Sequence, residues 1–440
     1  MAWCRRWSPC SKCRRHAFVI SESRDRNLGL SVFTSVNSTA NNRSRSPRPL
    51  HVAVVTETYP PEINGVATTI DVMVRGLRAR GHKVDVIRPR QRTDVQDVGS
   101  SLHDEMLVGG LPIPGYSSLR FGMPSAGRLI ERWRAVRPDV VQVVTEGPLG
   151  WSAVRAARKL QIPCASDFHT NFHAYTSHYR AGWMYRPIAG YLRSMHNATA
   201  ITMVPTQELA ECLSSFGFDR ITVVSRGVDT ALFHPRRRSE ALRALWGVTA
   251  DTPVVLHVSR LAAEKNLDLL FRTFDRMRAR CEAAKLVVVG DGPERSRLER
   301  AYPGHIFAGL HRGAHLAALY ASADVFLYPS LTETFGNVTI EAMASGLAVV
   351  AYDYAAAHEH IRHGVNGLLA PFHAEQEFVH QACTIVADRE RIRELGLAAR
   401  ETAETFDWAL VLDALEEALV MVAGRSPPAD AAELASSTAV

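Results

Sequence analysis

A chain of 440 residues, 46% of them apolar, is long enough for two ordinary α/β domains with sizeable cores. Its net charge of +6 is uneven: residues 1–50 carry ten Lys/Arg against two acids, residues 51–200 eighteen against twelve, and residues 201–440 twenty-three against thirty-one. A basic leader, a basic first half and an acidic second half point to different partners, and nucleic acid is excluded because no helix-turn-helix, RNA-binding or zinc-finger pattern accompanies the basic residues.

Residues 1–49 are rich in Arg, Ser and Asn, lack periodicity and read as a disordered basic leader. The composition is like that of an organellar transit peptide, but it shows neither an amphipathic helix nor a secretory apolar core. An over-extended start codon explains it equally well. Cys10-x-x-Cys13, with Cys4 and His16, has zinc-ligand spacing in a stretch where nothing else looks foldable, so an unfolded leader is the plainer reading. Cys164, Cys212, Cys281 and Cys383 are isolated in apolar contexts and read as buried free thiols.

From His51 the chain alternates strand and helix. A strand over His51–Val55 leads into the turn Thr56 to Gly65, a helix reaching Arg80, and a strand over Lys83–Arg88. Asp139–Val144, Pro163–Ser166, Ala200–Val204 and Ile221–Val224 continue the series. A second series follows: Val254–Val258, Leu286–Val289, His305–Phe307, Val325–Leu327 and Ala348–Val350. Such alternation predicts parallel sheets covered by helices, hence an α/β fold of two Rossmann-like lobes, over residues 50–234 and 235–406, with a hinge near Arg236-Arg-Arg238. A helix over residues 407–424 and a frayed tail over 425–440 close the chain. The most apolar stretch, Trp408 to Ala423, is too short for a bilayer and is broken by Asp413, Glu416 and Glu417, which excludes it as a transmembrane helix.

Four loops at strand ends carry chemistry. Asn64-Gly65 follows the first strand, and Gly65 lets the backbone approach a phosphate at the next helix N-terminus; a plain strand-to-helix turn competes with that reading. There is no Gly-x-Gly-x-x-Gly dinucleotide fingerprint in this loop. Ser166-Asp-Phe-His169 ends a strand of the first lobe, although a lone histidine is more often structural. Arg260 and Lys265 share the loop after the first strand of the second lobe. Two fixed cations there can stabilise a departing diphosphate, which carries about two negative charges, without a metal. Finally, Glu333 and Glu341 bracket Thr-Phe-Gly-Asn337 between the strand ending at Tyr328-Pro329 and a helix over Val338–Ala344, for which Asn337 is the expected N-cap. The plainer reading of that stretch is a capped helix with a solvated glutamate.

Taken together, residues 50–424 resemble the GT-B retaining glycosyltransferases with a Glu-x7-Glu motif. The resemblance is most specific in Thr332 to Gly346 and Val258 to Asn266. Thr58 to Val66 and Asp167 to Phe172 resemble a narrower branch of GDP-mannose-dependent α-mannosyltransferases and sulfoquinovosyl-diacylglycerol synthases. The resemblance implies that Glu333 holds the donor sugar and faces its developing positive charge, that Glu341 holds the ribose, and that Phe335, Gly336, Asn337 and Val338 line the donor site. Arg260 and Lys265 would grip the diphosphate, Gly65 would close on it, and His169 would touch the transferred sugar. Where the wider family has Gly-Gly, this chain has Asn64-Gly65. A last helix crossing back to the first lobe is implied as well. The reaction would retain anomeric configuration, with the leaving diphosphate accepting the acceptor's proton. No divalent metal or other cofactor is needed, consistent with the lack of an Asp-x-Asp motif at any expected strand end.

The implied partners are a nucleotide-sugar donor, with GDP-mannose the first choice, and a lipid or glycan acceptor. The alternatives are a UDP-sugar-dependent lipid glycosyltransferase and a 2-epimerase of the same fold, which would need further first-lobe carboxylates. A pyridoxal-dependent phosphorylase lacks a convincing lysine, and a non-catalytic sensor would not need the whole residue set. Arg128, Arg132, Arg134 and Arg137 flank Leu129, Trp133 and Val136 at helical spacing, and Phe172 to Met195 interleaves aromatic residues with arginines. Both patterns favour cytoplasmic docking on an anionic membrane surface, against the plainer reading of packed helices with basic outer faces.

Overall fold

The apolar runs assemble into two parallel sheets. A computed structural model describes residues 48–424 apart from 63, 92–93, 95–103, 114–115 and 170–184. The leader with its cysteine cluster, the tail over 425–440, and the 170–184 part of the aromatic segment lie outside the described residues. In chain order the first lobe holds β1 (His51–Val55), β2 (Lys83–Pro89), β3 (Glu105–Val108), β4 (Gly110–Ile113), β5 (Tyr116–Gly122), β6 (Val140–Val143), β7 (Cys164–Asp167), β8 (Ile201–Val204) and β9 (Ile221–Val223). The second lobe holds β10 (Val254–Val258), β11 (Lys285–Val289), β12 (Ile306–Gly309), β13 (Val325–Tyr328), β14 (Ala348–Tyr352) and β15 (Leu368–Ala370).

Seven strands order as β3-β2-β1-β6-β7-β8-β9 and six as β12-β11-β10-β13-β14-β15, while β4 and β5 form an antiparallel hairpin. Neighbours in both large sheets run parallel. Strands such as Val254-Val-Leu-His-Val258 are buried at every position, as strands covered by helices on both faces must be. The sequence reading missed β3, β4, β5 and β15. These are edge or hairpin strands without a long apolar run, and their state is decided by pairing with neighbours rather than by propensity.

The final helix, Trp408–Ala423, packs into the core of the first sheet. Val411, Leu412, Leu415, Leu419 and Val422 meet Ile70, Val74 and Leu77 there. A Cβ at Gly76 would lie 2.4 Å from Leu412 Cδ1, so this glycine is what lets the helix Gly65–Ala79 come so close. Arg80 fastens the crossing, donating to Glu416 (2.7 Å), Asp413 (2.7 Å) and the Ala409 carbonyl (2.9 Å). The Arg236–Arg238 segment, expected as a hinge region, overlaps a short 3₁₀ turn at Pro235–Arg237, with Arg238 tied to Asp324 of the second lobe at 3.2 Å. Of the four described cysteines, all free, Cys164 and Cys383 are buried, but Cys212 and Cys281 are only half-buried.

Candidate active site

Each large sheet reverses its winding direction once. In the first, the reversal falls between β1 and β6; in the second, between β10 and β13. The loops leaving the carboxyl ends of those strands diverge and open a crevice. The loop after β10 carries Arg260 and Lys265, the loop after β13 carries Glu333, and the loop after β1 carries Gly65. Residues far apart in sequence meet because topology puts them at the two reversal points.

Glu333 is the centre of the second-lobe site. Its Oε1 accepts from the Lys265 ammonium in a short ion pair, from the Tyr328 hydroxyl at 2.5 Å and from the Ser330 hydroxyl at 2.7 Å. Among the described residues all three bonds go to Oε1. The Glu333 carbonyl accepts from Tyr354 at 2.8 Å, so both ends of the residue are held. Lys265 also reaches the Thr332 carbonyl at 3.3 Å. Its partner is thus a carboxylate rather than open solvent, a coupling that the sequence reading, which assigned it to the diphosphate alone, did not foresee. Arg260 is paired with Glu264 one helical turn on, and its side chain is 43% exposed.

Asn337 is not the N-cap expected. Gly336 holds that position, at φ 97° and ψ 58°, a left-handed conformation that glycine adopts without a Cβ clash, and Asn337 becomes the first residue of the helix Asn337–Ala344. Within that first turn the Thr339 amide donates to the Gly336 carbonyl at 3.0 Å, and the positive end of the helix suits an anionic ligand. Phe335 is buried with its carbonyl taken by the Ala356 amide at 2.8 Å, so it contributes packing more than a free backbone group. Glu341, one turn into the helix, accepts from the Tyr320 hydroxyl at 3.0 Å, and burial pushes its carboxyl up to about 7.

On the first lobe, Asn64 caps the helix Gly65–Ala79 by accepting from the Ala67 amide at 2.8 Å. A Cβ at Gly65 would meet only the Asn337 side-chain amide, at an ordinary 3.7 Å, so the fold itself does not demand glycine there. The His169 ring is buried, with Arg226 Nη2 at 2.7 Å from Nδ1 and 3.4 Å from Nε2. Burial first, then the Arg226 charge, holds its pKa well below the usual histidine range. Arg226 escaped the sequence reading; its only signal was a lone cation in the apolar context Val223-Val-Ser-Arg-Gly-Val228. Tyr328, Ser330 and Tyr320 were missed too, although the first two lie within five residues of Glu333.

Contacts across the crevice join the lobes. Thr334 donates to the His169 carbonyl at 2.8 Å, Asn337 donates to Thr69 at 3.3 Å, and Glu359 accepts from the Gln207 amide at 3.0 Å. The first two come from the loop and helix that carry Glu333 and Glu341, so the donor-side and His169-side residues are brought to one place.

The expected membrane stripe does not survive. On the helix Ala126–Ala135, Leu129 and Trp133 are fully buried in the first-lobe core, leaving Val136 alone as an exposed apolar residue of that set. Arg132 pairs with Asp85 at 3.1 Å and Arg137 donates to the Leu160 and Gln161 carbonyls, both at 2.8 Å. This is a packed helix with a basic outer face. In the second segment, Tyr191 packs against Trp151 and donates to the Glu146 carbonyl at 2.8 Å. Among the described residues no helix is long and apolar enough to cross a membrane.

Two family profiles match this chain: Glycosyltransferase Family 4 over residues 63–232 and Glycosyl transferases group 1 over residues 252–388. A GDP-mannose-dependent alpha-mannosyltransferase of Mycobacterium tuberculosis is 34% identical over 380 residues, 86% of this chain and 98% of that protein. The sulfoquinovosyl transferase SQD2 of Arabidopsis thaliana is 30% identical over 82% of this chain and 71% of its own. Of solved structures, a sucrose-phosphate synthase from Thermosynechococcus elongatus aligns with a TM-score of 0.69 at 19% identity, covering 84% of this chain and 98% of that one. Anabaena HepE in complex with UDP and glucose aligns at 0.66 and 19%, covering 84% and 99%. The structural likenesses establish the two-lobed GT-B fold. With an identity of 34% sustained over nearly all of a relative, the chain belongs to the family 4, group 1 glycosyltransferases.

Proposed function

We propose that the protein transfers mannose from GDP-mannose to a hydroxyl of a lipid-linked acceptor, with retention at the anomeric carbon. The observation that carries the reading is the Glu333 carboxylate, fixed by Lys265, Tyr328 and Ser330 at the second-lobe reversal point and linked through Thr334 to the His169 segment opposite. A carboxylate held in place stabilises the oxocarbenium character that the sugar acquires as its diphosphate departs. Arg260 and Lys265 balance the charge growing on the diphosphate. Lys265 has three donors, so it can serve Glu333 and a phosphate oxygen together. The acceptor hydroxyl attacks from the face the diphosphate leaves, and a diphosphate oxygen takes its proton. His169, pinned by Arg226, is not required as a base.

The donor assignment is favoured by the named mannosyltransferases of Mycobacterium tuberculosis and Corynebacterium glutamicum, at 34% and 32% identity. A UDP-sugar-dependent lipid glycosyltransferase is the second reading, favoured by SQD2 and by an alpha-monoglucosyldiacylglycerol synthase of Acholeplasma laidlawii at 26% identity. The diacylglycerol named for the Acholeplasma laidlawii relative, with the basic outer faces of the first lobe, also favours a peripheral position at an anionic cytoplasmic membrane surface. One experiment addresses all of these. Radiolabelled GDP-mannose or UDP-sugars are incubated with lipid extract in vesicles, with and without acidic phospholipid, in excess EDTA. The expected product is a mannolipid, formed faster on acidic vesicles and undiminished by EDTA. Transfer from UDP-sugars alone favours the second reading, free epimerised sugar nucleotide overturns both, and activity that needs added magnesium removes the metal-free charge balance.

Glu341 provides a pH test. A carboxyl raised from 4.5 to about 7 by burial favours its protonated form in the folded protein. Its contribution to stability is therefore complete below the unfolded value and lost as pH rises through about 7. Ribose hydroxyls donate to the ionised form, so nucleotide affinity is expected to rise about tenfold between pH 6 and 8. Calorimetric titration with GDP should show that slope in the unchanged chain and a flatter one in Glu341→Gln. Equal slopes would remove Glu341 from the ribose site.

A further inference from the structure

A buried arginine beside a buried histidine is an expensive arrangement, and the reaction described above does not by itself explain Arg226. Its side chain is held inside the first lobe near Met73, with Nη1 at 3.9 Å from the thioether sulfur and Nη2 on the His169 ring. Burial lowers the guanidinium to about 10, which still leaves it charged at neutral pH. The compensating charge is Asp167, at the end of β7, whose carboxylate accepts from Gln142 at 2.7 Å and which burial raises to about 6. Removing either member of such a buried set leaves the other uncompensated, so its presence has to be explained by what it does.

We propose that Arg226 is a positioning residue for sugar transfer: its guanidinium holds the His169 ring neutral with the proton on Nε2, so that the histidine acts as a fixed hydrogen-bond donor to the transferred sugar and not as an acid or base. The inference rests on the function proposed above for the site. A guanidinium has only donors, so the ring nitrogen that meets it must present a lone pair. The nearer nitrogen is Nδ1, at 2.7 Å against 3.4 Å for Nε2. A neutral imidazole with a bare Nδ1 carries its proton on Nε2. That nitrogen lies 3.9 Å from Asp167 Oδ2, too far for a hydrogen bond, so among the described residues the N–H is available to another acceptor.

The charges around the ring agree. Arg226, from the loop after β9, and His196, from the helix Tyr185–Asn197, both oppose a second positive charge, and burial opposes it more strongly than either. Asp167, on β7, favours it, but its charge is already shared with Arg226 and Gln142. Thr334, the second-lobe residue in contact, is neutral and bonds the His169 carbonyl, not the ring. The backbone of His169 is thereby fixed from one lobe and its ring from the other lobe's interior. A donor N–H so held can mark the position of one sugar hydroxyl, whereas an imidazolium in the same place would repel the positive charge that develops at the anomeric carbon.

The test reads the ring directly. Full-length protein labelled with ¹⁵N-histidine, with the His169 signals assigned by their loss in His169→Gln, should show the neutral Nε2–H tautomer throughout about pH 5 to 8. In Arg226→Met the ring should begin to titrate within that range and turnover should fall about 100-fold, with the KM for the donor nearly unchanged. Arg226→Lys, which keeps a cationic donor, should retain a neutral ring and recover part of the turnover. An Nδ1–H tautomer or an imidazolium in the unchanged protein overturns the proposal, as does an Arg226→Met protein whose ring protonation and turnover are unaltered. Should Arg226→Met fail to fold, the spectra of the unchanged protein and of Arg226→Lys decide. Failure of the unchanged protein to transfer any sugar would instead strike the proposed function, since the ring state is read without substrate.

Discussion

Replacing Glu333 by glutamine is expected to lower turnover by about 100- to 1,000-fold while leaving nucleotide affinity close to that of the unchanged chain. Glutamine keeps the shape of the side chain and can still accept from Tyr328 and Ser330 through its carbonyl oxygen, so the loop after β13 should hold its place. What it loses is the charge facing the sugar, and that charge acts when the glycosidic bond to the diphosphate has stretched. Ground-state binding barely uses it. The Lys265 ammonium loses its ion partner in the same variant and becomes more available to phosphate, which if anything strengthens nucleotide binding. Lys265→Ala separates the two functions, since it should weaken both nucleotide binding and rate. Steady-state transfer assays alongside GDP titration provide the measurement. Near-normal turnover in Glu333→Gln would remove Glu333 from the reacting centre.

The second large effect is expected at Gly290, on the turn leaving β11. Its φ of +135° is a conformation other residues rarely adopt, and a Cβ there would stand 1.8 Å from the Ser259 carbonyl oxygen. Ser259 cannot easily give way, because its amide is bonded to the Val289 carbonyl at 3.1 Å and its hydroxyl to His257 at 2.8 Å. Two residues on, a Cβ at Gly292 would meet the Leu261 carbonyl at 2.4 Å. The two turns are therefore pressed backbone to backbone, and the loop that bears Arg260 is held by that contact. Gly290→Ala should cost about 3 kcal/mol or more in stability. It should weaken nucleotide binding as well, through displacement of Arg260. Gly127→Ala, at an exposed position of the helix Ala126–Ala135 where the added methyl meets nothing within 4 Å, is the matched control and should gain a few tenths of a kcal/mol or more. Denaturant midpoints that fall equally for the two variants would contradict this account.

Local pattern determined the outline of the protein. Eleven apolar runs of three to six residues between turn residues are enough to announce parallel sheets, because a strand buried on both faces has few polar positions to interrupt it. The order of strand, Pro329, Glu333, Gly336 and helix is equally local, and it placed Glu333 and Glu341 at a strand's carboxyl edge before any coordinates were needed.

Long-range contact decided the rest. The cap falls on Gly336, in a left-handed conformation, while the Asn337 side chain reaches across the crevice to Thr69, 268 positions away. The arginine-flanked stripe of Leu129 and Trp133 has the period of a membrane-facing helix and of a core-facing one alike, and only the sheet lying beneath it selected the core. Lys265 and Glu333 are 68 positions apart and Arg226 and His169 are 57, so no spacing rule links either pair. They meet because β10 pairs with β13, and because β7 and β9 end at one edge of the same sheet. Charge pairing in a buried site is a property of that shared edge: desolvation makes each ion depend on its partner, and the partner is supplied by topology.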